Sequence, residues 1–119
     1  MAKEINITAS LSIAQNGTVF AQIFPLVLDM AGDNMFQNIQ DVGTTCEAVL
    51  LGDLATIGYL LLKNLDVTNY VELSSDNANA NKIMKILPGG VALIPPGTIT
   101  LYATAHTAGI KLFVLAGEL

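Results

Sequence analysis

The chain has 119 residues, a length that fits a single domain over residues 1–119, and its net charge is −5. Its five lysines are scattered and it has no arginine, so the phosphate neutralisation on which DNA and RNA binding depends is not expected. Hydrophobic residues make up 52% of the sequence. However, the longest apolar-rich stretch, Ala48 to Leu62, is shorter than the roughly 20 residues of a membrane-spanning helix. We therefore expect neither nucleic acid nor a membrane as a partner.

The N-terminal segment predicts a β-hairpin. From Glu4 to Ile13, polar and apolar residues alternate strictly, which is typical of a strand with one buried face. Asn16-Gly17 follows and is a strong signal for a two-residue hairpin turn, so residues 19–28 are predicted to form the partner strand. Pro25 has no N–H to donate, which predicts that this strand lies at an edge or contains a bulge.

The middle of the chain predicts short strands followed by a central one. Residues 37–51 are expected to hold one or two short strands. The segment from Ala55 to Lys63 is apolar on both faces and is predicted to lie inside a sheet. A helix from Glu47 to Leu62 is the alternative, but Gly52 and Gly58 would each cost such a helix about 1 kcal/mol.

The C-terminal half predicts a polar loop at residues 74–82 and then four strands separated by glycine and proline turns. Strands that recur about every ten residues, with turn residues between them, indicate an antiparallel β-sandwich or barrel. The predicted strands are Ile83 to Leu87, Val91 to Ile94, Ile99 to Ala105 and Ile110 to Ala116.

A polar cluster at residues 64–69 is the main candidate for chemistry. Asp66 could act as an acid, base or nucleophile only with partners in reach, and the sequence lacks a nucleophile elbow, a phosphate-binding loop and a zinc-binding His-Glu-x-x-His motif. The acidic residues Asp66, Glu72 and Asp76 do not match the spacing of a calcium loop. We interpret the cluster as a hairpin bend, with a weak ion site as the alternative, and predict no catalytic, cofactor-binding or metal-binding residues.

Cysteine and histidine each occur once. Cys46 cannot form an internal disulfide, and we expect it to be a small buried hydrophobic residue. A single cysteine is also compatible with synthesis of the protein in a reducing compartment. His106 follows a predicted strand, so we expect it in solvent at the strand end; a pH-sensitive group or ligand at an interface is the alternative. The N-terminus lacks the apolar core of a secretory signal.

The hydrophobic content predicts self-association. A domain of this size cannot bury apolar residues that make up 52% of its sequence, and exposed apolar area usually marks an interface. We expect a homo-oligomer in which the first strand lies near a neighbouring subunit. Composition alone permits a dimer or a larger assembly.

Three stretches of the sequence resemble small structural proteins of tailed-bacteriophage virions. In that group, a strand ending in a Lys-Asn-Leu-Asp bend leads into Asn-Tyr-Val, and a Pro-Gly turn and two strands separated by Ala-x-x-x-Gly come later. The resemblance covers residues 43–118. The stretches are "GYLLLKNLDVTNYVEL", "ILPGGVALIPP" and "LYATAHTAGIKLFVLAGE".

The resemblance implies a non-enzymatic virion protein without cofactors. The hypothesis it favours is a capsid decoration (cement) protein with a jelly-roll-like β-sandwich fold. Such a protein would be made in the host bacterial cytoplasm and would bind the major capsid protein at the capsid surface as a homotrimer. A neck, tail or fibre-base component is one alternative. A receptor- or sugar-binding module is another, for which Tyr70 beside Asn69 is the only indication, and an enzyme is the least supported.

Overall fold

The computed structural model describes residues 4–30, 34–52 and 54–118, and in these ranges the regular elements are β-strands with no helix. All strand pairs are antiparallel, so the all-β, antiparallel prediction is confirmed. The described residues thus form no helix that could cross a membrane. The strands are β1 (Glu4–Gln15), β2 (Thr18–Asp29), β3 (Met35–Val42), β4 (Glu47–Ala48), β5 (Ile57–Asn64), β6 (Val71–Ser74), β7 (Lys82–Ile86), β8 (Val91–Ile94), β9 (Tyr102–Ala105) and β10 (Ile110–Glu118).

β1 and β2 form a long hairpin that is a two-stranded sheet of its own. All 12 residues of β1 pair with β2 without a break in register. Asn16 and Gly17 make the turn with φ values of 50° and 80°, the positive values that a tight two-residue turn requires. Pro25 causes no bulge, and because the sheet has two strands it lies on an edge strand, as predicted.

The other eight strands form two four-stranded sheets with a nested pairing. The first sheet has the order β3-β10-β5-β8 and the second the order β4-β9-β6-β7. β3 pairs with β10, β4 with β9, β5 with β8 and β6 with β7. Residues 35–118, which we call the body, therefore pair as one long ribbon that turns back at the loop between β6 and β7.

The two sheets share one apolar core. Fully burying a leucine or valine side chain contributes about 1.5–3 kcal/mol, so this core is the main source of stability for the body. Alternate residues of the first sheet point away from the core and form what we call its outer face. Fully buried core residues from the two sheets include Leu60, Leu62, Val71, Leu73, Leu112 and Val114.

β5 is an inner strand of the first sheet, between β10 and β8, as its two apolar faces predicted. Leu60 and Leu62 point into the core, while Tyr59 and Leu61 lie on the outer face. The alternative of a helix from Glu47 to Leu62 is wrong, because this segment contains β4, a loop and part of β5.

Candidate functional site

The polar bend at residues 64–69 connects β5 to β6. Asp66 Oδ2 accepts hydrogen bonds from the backbone N–H groups of Asn69 (2.6 Å) and Thr68 (2.9 Å). These two donors, Asn69 more than Thr68, lower the pKa of Asp66 because they stabilise its carboxylate form. The carboxylate thus serves a turn, as predicted. The turn is not a hairpin, because β5 and β6 belong to different sheets and the bend carries the chain from one to the other.

Asn64 is the buried polar residue of the bend. Its Oδ1 accepts a hydrogen bond from the N–H of Asp66 at 3.0 Å, and its Nδ2 donates to the carbonyls of Asn69 (2.9 Å) and Ile86 (3.2 Å). Its own backbone N–H and carbonyl bond to Gly90 and Gly89. Asn64 therefore joins the bend to the end of β7 through its side chain and to the turn before β8 through its backbone.

His106 lies in solvent at the end of β9, as predicted, but its ring has a partner that the sequence did not indicate. The imidazole stacks on the ring of Tyr70 with centroids 4.3 Å apart and an interplanar angle of 9°. Lys85 Nζ also lies 4.1 Å from the centroid of Tyr70. The structure therefore brings His106 next to the end of the bend, since Tyr70 directly follows Asn69.

Cys46 is half-buried and polar in its contacts, which differs from the predicted buried hydrophobe. Its Sγ donates to the carbonyl of Asp76 at 3.5 Å and lies 3.9 Å from Ser74 Oγ. The thiol thereby holds the loop after β6 against the segment before β4. Across residues 4–30, 34–52 and 54–118, no three His, Cys, Asp or Glu side chains are grouped so that they could hold a metal ion.

A groove of about 470 Å³ lies beside the bend, lined in part by Asp41, Leu65, Asp66 and Lys111. Its charged groups are already engaged. Lys111 Nζ donates to Asp41 Oδ1 at 2.7 Å, and Asp66 is bound to the backbone of its own turn. The charged groups of the groove therefore already have hydrogen-bond partners within the chain, so a ligand would have to compete with those partners.

A long exposed apolar surface lies on the hairpin. Odd-numbered residues of β1 and their partners in β2 share one side, which we call the hairpin face. Its base is half-buried, but towards the turn Leu11, Phe20 and Phe24 are 67%, 72% and 66% exposed. The expected burial of one face therefore holds only at the base. The hairpin face consists of Ile5, Ile7, Ala9, Leu11, Ile13, Phe20, Gln22, Phe24, Leu26 and Leu28.

The base of the hairpin packs on the outer face of the first sheet. A groove of about 390 Å³ lies between them, lined by residues such as Ile7, Leu61 and Leu93. Ile5 approaches the sheet so closely that a Cβ on Gly117 would lie 3.2 Å from Ile5 Cδ1. The outer face is thus the surface on which the hairpin face already packs within one chain.

Part of the outer face lies open beyond this groove. Ile39 on β3 and Val91 on β8 are 52% and 59% exposed. They lie in one row across the sheet with Phe113 and Lys63, because Phe113 pairs with both Ile39 and Lys63, and Lys63 pairs with Val91. The sequence indicated two apolar faces for the segment from Ala55 to Lys63, but it did not indicate that Ile39 and Val91 would be left exposed beside it.

Comparison with known proteins found no matching family model, no similar curated protein and no similar solved structure.

Proposed function

We propose that the protein is a non-enzymatic structural protein of a bacteriophage virion that decorates the capsid and stabilises the head by bridging capsid subunits. The observation that supports this role best is the exposed apolar hairpin, which extends from a body with its own core. Exposed contiguous apolar surface is typical of interaction sites. Bridging of subunits needs such surfaces on a rigid scaffold and requires no reactive side chain or cofactor.

The strand order supports a jelly-roll-like β-sandwich for the body. In the body, β3 pairs with β10, β4 with β9, β5 with β8 and β6 with β7. This nested pairing results when a long antiparallel ribbon rolls into two sheets. Jelly rolls occur in viral capsid proteins and in lectins. Fold alone does not assign function, so the virion role also depends on the resemblance of residues 43–118 to phage structural proteins.

The proposed partners are other copies of this chain, as a homotrimer, and the major capsid protein of the same virion. The number three comes from the resemblance, because decoration proteins often occupy three-fold and quasi-three-fold positions on phage heads. A neck, tail or fibre-base position would use the same surfaces and differs only in the partner. The sugar-binding alternative is less favoured, because the ring of Tyr70 already stacks on His106.

The test is co-sedimentation with shells assembled from the major capsid protein of the same genome. We expect the protein to sediment with the shells in a saturable, stoichiometric ratio and to raise their melting temperature. Protein without shells and protein mixed with tail tubes from the same genome are the controls. Binding to tail tubes but not to shells would support the tail alternative, and binding to neither would contradict both the capsid role and the tail role.

A further inference from the structure

We propose that the hairpin is an intersubunit arm: the exposed part of its hairpin face packs on the outer face of the first sheet of a second copy, around Ile39 and Val91. This inference deepens the proposed function, on which it rests for its biological setting, because it names the surfaces through which copies of the chain would associate. The contact joins two different surfaces, so repeating it closes a ring of subunits when the rotation allows.

The hairpin needs a partner. Strands of 12 residues extend roughly 40 Å at about 3.3 Å per residue. Only the base of the hairpin face, at Ile5, Ile7 and Leu28, is half-buried. An isolated two-stranded hairpin is marginally stable in water. A surface that covers the exposed part would therefore stabilise the hairpin.

The chemistry of the arm selects an uncharged apolar partner. There is no charged residue between Glu4 and Asp29, so a nucleic acid or a highly charged protein surface would find no ion pair on the arm. A lipid bilayer is disfavoured because both edges of this two-stranded sheet carry unpaired backbone groups, which the hydrocarbon core cannot satisfy. Ser10, Ser12 and Gln22 would also enter the bilayer without partners.

The outer face of the first sheet offers apolar side chains to such an arm, and its charged residues Asp41 and Lys111 are paired with each other. The base of the hairpin face already packs there within one chain, and the exposed row that contains Ile39 and Val91 lies on the same face. Lys63 lies within this row, and its alkyl stem can cover apolar surface while its ammonium group reaches water. A second copy of the chain therefore supplies a receptor of the same kind as the one seen at the base.

The size of the contact suits a specific interface. Five large side chains of the hairpin face are between 39% and 72% exposed, namely Leu11, Ile13, Phe20, Phe24 and Leu26. Covering them would bury on the order of 500 Å² on the arm and a similar area on the sheet, and roughly 1,000 Å² in total is the lower limit for a specific interface. In a ring, each subunit takes part in two such contacts.

The experiment compares charge insertions on the two proposed surfaces. Phe20→Asp alters the arm and Ile39→Asp alters the receptor; both positions are exposed in the single chain, so the body should still fold. Val67→Asp is the matched control, because Val67 is 90% exposed on the bend and belongs to neither the hairpin face nor the first sheet. Ser12→Asp places the same charge on the opposite side of the hairpin.

We expect the wild-type chain, Val67→Asp and Ser12→Asp to sediment as an oligomer, and Phe20→Asp and Ile39→Asp each to sediment at the single-chain mass of 12.5 kDa. Mixing the two monomeric variants should restore one intact contact, between the arm of the Ile39→Asp chain and the sheet of the Phe20→Asp chain. The mixture should then form a heterodimer of twice the chain mass. Circular dichroism checks that each variant is folded.

A monomeric wild-type chain at micromolar concentration would overturn the inference. So would an oligomer that survives Ile39→Asp, or a mixture that stays monomeric, since the arms would then pair with each other or elsewhere. Flotation of the monomeric wild-type chain with phosphatidylcholine vesicles would indicate a lipid partner instead. If a monomeric wild-type chain co-sediments with capsid shells, the result supports the proposed function and contradicts the arm. If the chain forms the expected oligomer but does not bind shells, the result supports the arm and contradicts the proposed function.

Discussion

Among single residues, Asn64 matters most for the bend because of the hydrogen bonds of its buried side-chain amide. It satisfies three backbone groups, the N–H of Asp66 and the carbonyls of Asn69 and Ile86. Asn64→Leu keeps a similar volume but removes all three partners. Because an unsatisfied buried backbone group costs about 1–3 kcal/mol, we expect the free energy of unfolding to fall by roughly 3 kcal/mol. Urea denaturation followed by circular dichroism measures this.

The control for Asn64 is the same substitution at an exposed position. Asn38→Leu on β3 removes an exposed amide and should change the free energy of unfolding by less than about 0.5 kcal/mol, as surface substitutions usually do. Equal stability of the Asn64→Leu variant and the wild type would contradict the assigned hydrogen bonds.

The lowered pKa of Asp66 predicts that the stability of the protein depends on pH. Its pKa is lowered in the folded state by the N–H groups of Asn69 and Thr68, so its contribution is present above the unfolded pKa of about 3.9 and is lost as pH falls through the folded value. We expect the wild type to lose more stability than Asp66→Ala when melting is measured at pH 5 and then at pH 3. At pH 7, Asp66→Ala should be less stable yet keep its partner binding.

Val67→Ala, a neighbouring substitution without a titratable group, is the control for Asp66 and should keep the pH dependence of the wild type. If Asp66→Ala kept full stability at pH 7 but lost a bound ion or ligand, the carboxylate would belong to a binding site. The turn interpretation would then be wrong.

At the scale of secondary-structure elements, the sequence pattern predicted those features that depend only on residues close together in the chain. The alternation from Glu4 to Ile13 and the Asn16-Gly17 turn predicted the hairpin, and β8 spans the residues that the turn spacing indicated. The turn role of Asp66 could be predicted because its hydrogen bonds reach only two or three residues along the chain. Such signals are contained in a few neighbouring residues.

What the sequence did not predict is non-local. The pairing of β3 with β10 joins the two ends of the body, and alternation does not say which strands become partners. The stack of His106 on Tyr70 likewise depends on two distant segments. The predicted burial of one face of β1 fails for a related reason. Alternation identifies the apolar side of a strand, whereas burial depends on what covers that side, and Leu11 is exposed.

The hairpin turn provides a prediction for a whole element. Gly17 has a φ of 80°, and a Cβ placed there would meet no atom within 4 Å. Gly17→Ala therefore adds only the conformational cost of a left-handed residue, about 1–2 kcal/mol. We expect faster amide hydrogen exchange throughout β1 and β2, with the exchange rates of the body unchanged.

Gly43→Ala is the matched control for the turn, because Gly43 has no positive φ and a Cβ there has its nearest neighbour at 4.0 Å. It should leave exchange in the hairpin at the wild-type rate. Uniformly faster exchange in Gly17→Ala, including the core strands, would contradict an arm that opens separately from the body.

For the whole molecule, two groups of apolar residues decide how the chain can associate. One group fills the core that the two sheets share, and the other lies on the hairpin and on the outer face of the first sheet, while further apolar side chains such as Leu50, Leu87 and Ile99 are exposed elsewhere on the body. This division explains how a chain of 119 residues can be 52% hydrophobic although its core holds only part of its apolar residues. The second group would be buried only by assembly.

The salt dependence of assembly follows from this division. The arm has no charge between Glu4 and Asp29, while each chain carries a net charge of −5, so association gains apolar burial and is opposed by repulsion between like-charged subunits. Salt shortens the Debye length from about 30 Å at 0.01 M to about 10 Å at 0.1 M and reduces that repulsion. We therefore expect sedimentation velocity on a dilution series to show tighter association at about 0.5 M than at about 0.05 M NaCl. Phe20→Asp should sediment as a monomer at both concentrations. Dissociation by salt would mean that ion pairs, rather than the hairpin face, hold the subunits together.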